Sequence, residues 1–303
     1  MGKPAPRQPV AALALLLFAL PGCAGGGTTG SGASDADANT AADVTADATA
    51  SDAACAAIDA DAGARLFGAP SGNTGLSAEQ CGPSCGCFSA RTWSPAELDA
   101  LRARVLDDAP SAPAVDPYAV ATLDVAPAPA GSVCAVLPGA DGHYRLQGYA
   151  SASQAEAAGG FVTHAGRCGL CSSLADLAVY AGSPDLTAPV RNCGLQGMAE
   201  GHGSNVACLE KLGFSPPCAA IWAYNTTHTR TVCLQTCLAE LKSKHHLPDG
   251  SLNPCIACDE EQSGPVFKAV AGRTRRNSGL PSGLCRPCES VAPIAHDDAF
   301  LDP

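Results

Sequence analysis

Cysteine restricts this chain more than any other residue. There are 17 among 303 residues, while aromatic side chains make up only 5%. Little bulky filling means a thin core, and a thin core needs a supplement. Disulfides supply one, at ~2–4 kcal/mol each. The cysteines crowd between helical patterns in the second half, and the stretch from Thr163 to Ala181 organises them. There Cys168-Gly-Leu-Cys171 runs into Ser173-Leu-Ala-Asp176, the signature of a capped helix start, with Leu174, Leu177 and Val179 as apolar contacts. Three chemistries share that spacing. It suits a structural disulfide, half of a zinc site, or a redox dithiol whose thiol is acidified by the helix end.

The first residues read as an address. Lys3 and Arg7 precede an unbroken apolar run from Ala11 to Leu20, too short to span a bilayer and suited to a secretory signal. The run closes on Leu20-Pro21-Gly22-Cys23, which resembles the lipobox of bacterial lipoproteins. The resemblance covers residues 1–25 only. It implies cleavage before Cys23, diacylglycerol on the Cys23 sulfur and a third acyl chain on its amine. Each buried methylene adds roughly 0.8 kcal/mol, so several chains hold the protein to a lipid bilayer where one would not. Ala24 in place of Asp implies the outer membrane in a Gram-negative cell. Such an extracytoplasmic, cell-envelope location is oxidising. With Cys23 lipidated, an even set of 16 cysteines remains for pairing.

Four segments follow from composition: a signal peptide (1–22), a lipidated cysteine with a flexible acidic tether (23–54), a small irregular cysteine-containing subdomain (55–154), and a cysteine-rich helical domain (155–303). The tether is Gly, Ser, Thr, Ala and Asp, which cannot bury enough surface to offset ordering entropy. Net charge is −11, which argues against nucleic acid as a partner. In the small subdomain, Cys81-Gly-Pro-Ser-Cys85-Gly-Cys87 reads as a stapled knot. Ser94-Pro95-Ala96-Glu97 reads as a helix start, and 132–137 with 144–149 as a β-hairpin around Gly139 to Gly142. In the helical domain, short helices are expected over 204–213 and after Asn253-Pro254, the second interrupted by Ser263-Gly-Pro265. The longest helix is expected from about 216 to 244. Cys218, Ile221, Trp222, Asn225, Thr229 and Val232 line one face of it, then Leu234, Cys237, Leu238 and Leu241 take over. Cys233 and Cys237, one turn apart, both point at one neighbour. The fold class is mainly α: a disulfide-rich helical ectodomain with a small β-hairpin subdomain.

Three constellations carry candidate chemistry. His164, Cys168 and Cys171 form the catalytic candidate, a thiol–disulfide or metal-dependent oxidoreductase, although no βαβ pattern surrounds them. The same three with His228 would suit tetrahedral zinc or copper. Arg273, Arg275, Arg276 and Asn277 offer donors to phosphate, sulfate or carboxylate, against a plainer role of pairing with Asp259, Glu260 and Glu261. The reading that leads is non-enzymatic: an anchored module with a structural or binding role toward a protein or small-molecule partner the sequence does not identify.

Overall fold

The computed structural model describes residues 65–86, 88–120, 125 and 127–296. The signal peptide, the lipobox with Cys23, the tether, Cys55 and Cys87 lie outside the described residues.

Local signals set most helix starts. Ser94 accepts the Glu97 N–H, and Glu97 reaches back to the Ser94 N–H, opening α1 (Pro95–Ala103) with Pro95 at its first position. Ser151 accepts the Gln154 N–H to open α2 (Ala152–Ala157), and Ser173 accepts the Asp176 N–H to open α3 (Leu174–Gly182). Then come α4 (Thr187–Glu200), α5 (His202–Lys211) and the long α6 (Pro216–Ala239). Asn253 accepts the Ile256 N–H to start α7 (Pro254–Gln262), and Gly264–Ala271 forms α8. The long helix stops at Ala239, short of 244. The chain leaves it so that His245 and His246 can donate N–H bonds to the carbonyls of Asn73 and Thr74.

The β content exceeds a hairpin. Val105–Leu106 (β5), Val133–Pro138 (β6), His143–Tyr149 (β7) and Phe161–Ala165 (β8) form one sheet in the order β5-β7-β6-β8. β6 and β7 are the expected hairpin; β8 pairs antiparallel with the other edge of β6, with a bulge at Cys134/Ala135. Leu66–Phe67 (β1) lies between Cys81–Gly82 (β2) and Arg286–Pro287 (β9), joining the two ends of the described chain. Ser84–Cys85 (β3) pairs with Phe88–Ser89 (β4). The expected boundary at 154/155 is therefore no divide. The sheet crosses it, and the described residues all fall in one compact unit.

The core gathers on one face of the sheet. Leu101, Val136, Tyr144, Leu174, Leu177, Tyr180, Leu209, Phe214, Ile221 and Phe267 pack in one cluster. Seven disulfides form among the described residues, 81–285, 85–288, 134–168, 171–218, 193–208, 233–258 and 237–255, and the 171–218 bridge lies within the core cluster itself. Cys233 and Cys237 do face one neighbour, α7, and form two rungs with it. The expectation for Leu234, Leu238 and Leu241 is corrected: they are exposed rather than packed. No helix among the described residues is long and apolar enough to cross a membrane.

Candidate functional site

The Cys-Gly-Leu-Cys turn is the centre of the molecule, but not as a dithiol. Cys168 is bonded to Cys134 on β6 and Cys171 to Cys218 on α6. The turn joins the sheet to the long helix, and both sulfurs are spent on that. A strand does precede the turn, namely β8, yet it is an antiparallel sheet edge and no βαβ unit forms around it. The redox arrangement is thus corrected: Cys168 and Cys171 would have to bond each other, and each is covalently held elsewhere.

His164 is the next-to-last residue of β8 and has no solvent exposure. Its Nδ1 is 3.0 Å from the Ala165 carbonyl and its Nε2 is 2.8 Å from Ser172 Oγ. The Ala165 carbonyl can only accept, so the imidazole keeps its proton on Nδ1 and Nε2 accepts from the Ser172 hydroxyl, which in turn accepts the Gly169 N–H. Burial, helped by the nearby Arg273 guanidinium, holds the His164 pKa well below the usual histidine range. A serine hydroxyl donating to a neutral imidazole has the form of a nucleophile–base pair. Here Ser172 and His164 are both fully buried. No substrate reaches them, and the pair serves to satisfy polar groups under the turn.

The metal set is corrected as well. The two cysteines are disulfides rather than thiolates, and His228 sits on α6, hydrogen-bonded through Nδ1 to Ser263 Oγ (2.9 Å) and stacked on Tyr118 at 4.4 Å between centroids. No group of three or more His, Cys, Asp or Glu side chains is placed to hold a metal ion among the described residues.

The basic loop is corrected from a ligand-contact site to internal bracing. Arg273 is 0% exposed. Its guanidinium donates to the carbonyls of Cys171, Thr163 and Ser172 (3.0 Å each), to Thr163 Oγ1 (3.1 Å) and to Ser278 Oγ (3.4 Å). Burial draws its pKa down to about 10, with the Asp176 carboxylate opposing. Arg275 donates to the carbonyls of Tyr180 and Ser183, where the last turn of α3 leaves acceptors unpaired. Arg276 pairs with Glu260 at 3.7 Å, as the plainer reading expected, and Glu260 also takes Arg286 and Lys268. Asn277 holds the turn itself, accepting the Thr274 N–H and donating to the carbonyls of Ala165 and Gly272.

Asp176, read from the sequence only as part of a helix cap, has a second role in the fold. It is fully buried and bridges two helix starts. Its carboxylate accepts the Ser173 hydroxyl (2.5 Å), the Ser215 N–H (2.8 Å) and the Ser215 hydroxyl (2.8 Å). Burial pushes its pKa above the usual carboxylate range against those hydrogen bonds. The capping box Ser-x-x-Asp marked α3, but nothing local said that the same carboxylate also reaches α6. Beside it opens a groove of about 230 Å³, lined by Arg104, Leu106, Pro110, Tyr144, Leu170 and Pro216 among others. Ligand pockets run about 300–1,000 Å³. This one is small, and the positive ends of α3 and α6 beside it are already answered by Asp176.

Residues 202–294 match the model of a family of unknown function (DUF8771). The match covers under a third of the chain, from α5 to just past β9. Four of its eight cysteines pair within it (233–258, 237–255), and four reach outside it: Cys208 to Cys193, Cys218 to Cys171, Cys285 to Cys81 and Cys288 to Cys85. The matched segment is therefore bolted to the rest of the fold at four points. No curated protein and no solved structure matches the chain.

Proposed function

We propose that this protein is a lipoprotein of the cell envelope whose disulfide-locked ectodomain serves as a structural or binding module, with no chemistry of its own. The observation that carries this reading is the fate of the chemical candidates. Cys168 and Cys171 are each bonded to a distant cysteine, and the Ser172–His164 pair beneath them is sealed from solvent. Fourteen cysteines in seven bridges support an oxidising compartment, and the Leu20-Pro21-Gly22-Cys23 motif supports a lipid anchor. Partners would meet the outer surface rather than an interior site, with Cys23 holding the module to the bilayer.

Intact-mass analysis of the protein extracted from membranes tests both halves. The expected species begins at Cys23, carries acyl chains and shows no free thiol under denaturing conditions. Cys55 and Cys87 are then oxidised along with the other fourteen. Cys23→Ser moves the protein to the aqueous phase of a detergent partition. An unacylated amino terminus, or thiols at Cys168 and Cys171 that exchange with a disulfide substrate, would overturn the reading.

A further inference from the structure

The last third of α6 carries an apolar face that nothing among the described residues covers. Leu234 and Leu238 stand four residues apart on the helix, and Leu241 follows in the turn just past Ala239. They are 43%, 50% and 58% exposed. Leu234 and Leu238, one turn apart, share one side of the helix, and Leu241 is exposed just beyond its end. The adjacent side holds Cys233 and Cys237, bonded to Cys258 and Cys255 of α7. These two rungs fix the rotation of the helix, so the leucines are held outward and cannot roll under. The segment itself is basic, although α7 beside it carries Asp259, Glu260 and Glu261. Arg230 lies one turn before Leu234 and Lys242 directly follows Leu241, while Glu240 is the only acidic residue from 226 to 248, in a chain of net charge −11.

We propose that this leucine ridge with its basic flanks is a membrane-docking face. It lies against an anionic lipid surface, with Leu234, Leu238 and Leu241 at the acyl boundary and Arg230 and Lys242 at the phosphates. An apolar ridge with a cation at each end has the make-up of an element that lies in the plane of the interface. Two arguments favour lipid over a second copy of the chain. Three half-exposed leucines present on the order of 300 Å², short of the ~800 Å² per partner that a stable interface buries. A two-fold antiparallel pairing of the ridge would also set Arg230 of one copy near Lys242 of the other, cation against cation. A lipid surface needs neither a large area nor a matching shape when the protein is already held there. The choice of lipid rests on the anchored reading. Cys23 precedes the first described residue, Arg65, by only 42 positions, so an anchor there keeps the ridge at high effective concentration beside the bilayer and a weak contact suffices. Docking would fix which side of the module faces the membrane and which faces outward.

The test uses the full mature chain carrying Cys23→Ser, so that no acyl chain contributes, and sucrose-loaded vesicles of phosphatidylethanolamine with phosphatidylglycerol. The protein should sediment with these vesicles, and much less with phosphatidylcholine alone or at high salt. Leu234→Ser/Leu238→Ser/Leu241→Ser should weaken sedimentation at least tenfold. Arg230→Gln and Lys242→Gln should each weaken it roughly fivefold. These positions are on the surface, and circular dichroism with a free-thiol count checks that the variants keep the fold. No sedimentation, undiminished binding by the serine variant, or a concentration-dependent dimer that the serine variant abolishes would each overturn the proposal. The outcome is separate from that of the anchor: binding here with no acylation in the mass assay removes the anchor and leaves the docking face, and the reverse result does the opposite.

Discussion

Arg273 carries a guanidinium into a region without solvent and leaves none of its five N–H donors idle. The acceptors come from β8, from Cys171 and Ser172 at the end of the Cys-Gly-Leu-Cys turn and from Ser278, so one side chain joins all three pieces, where His164–Ser172 and Asn277–Ala165 each join only two. Truncation would strand their carbonyls in the interior. Arg273→Ala should therefore cost about 3–5 kcal/mol, read as a lowered denaturant midpoint. Arg273→Lys should recover only part of it, because an ammonium cannot fork between Thr163 and Ser172. His296 makes a separate demand, that of staying neutral. It donates from Nε2 to the Ser278 carbonyl, and burial brings its pKa down to about 4, with Arg273 and Arg91 adding to the effect. A depressed histidine pKa stabilises fully above its unfolded value near 6.5 and loses that contribution as pH falls toward the folded value. The swing is about 3 kcal/mol. His164, also depressed, acts in the same direction. Asp176, raised by burial, acts in the opposite one. His296→Asn keeps a residue that tolerates the left-handed backbone at this position (φ 56) and removes the titration. Its stability should fall less than that of the parent between pH 7 and pH 4.5, with both proteins sharing the Asp176 contribution. Parallel slopes would refute the assignment.

At the scale of elements, the Cys-Gly-Leu-Cys turn works through its glycine as much as through its sulfurs. The Leu170 and Cys171 N–H groups donate to the carbonyls of Val270 and Ala271 at the end of α8, laying backbone directly on backbone. A Cβ on Gly169 would stand 2.6 Å from the Val270 oxygen and 2.7 Å from the Ala271 carbonyl carbon. Neither atom can swing away as a side chain would. Gly169→Ala should thus destabilise by more than about 3 kcal/mol, or prevent the 171–218 bridge from forming, which disulfide mapping would detect. Wild-type stability in that variant would mean that the two segments are not in contact. The sequence announced such devices unevenly. Caps at Ser94, Ser173 and Asn253 were legible because a cap is a contact between residues three apart. The β6–β7 hairpin was legible for a similar reason, its partners being brought together by one tight turn. β8 was not, since its partner β6 lies some 30 residues away across α2. Nor was α4, where Pro189, Gly194 and Gly197 look like breakers. In the fold Gly194 faces Thr226 and Gly197 faces Asn205, so these glycines allow the helices to approach closely. The run Arg-Thr-Arg-Arg looked like a surface because charge usually is. Only the surrounding carbonyls, which come from distant segments, make Arg273 an interior residue.

For the molecule as a whole, the arrangement of the bridges matters more than their number. Cys81–Cys285 and Cys85–Cys288 span 204 and 203 residues and lie side by side where β1 joins β2 to β9. Each closes nearly the same loop, so with one present the other constrains only a ring of about eight residues, worth about 2–3 kcal/mol by chain entropy. With both gone, the closure of the whole loop is lost. The other five bridges already shorten that path to about 100 residues, for which closure contributes about 5 kcal/mol. Cys81→Ala/Cys285→Ala and Cys85→Ala/Cys288→Ala should consequently each cost about 2–3 kcal/mol, and all four substitutions together about 7, more than the sum of the two. That is a coupling of about 2 kcal/mol between bridges that share no atoms, measurable in a double-mutant cycle from guanidinium unfolding. A domain stable by 5–15 kcal/mol would be left marginal by the quadruple change. The direction of the non-additivity discriminates between explanations. If the bridges acted through local packing around β1 and β9, removing the first would loosen the site and the second would cost less. Chain closure makes the second cost more, and a result at or below the sum would show that sulfur holds this fold by contact rather than by confining the unfolded chain.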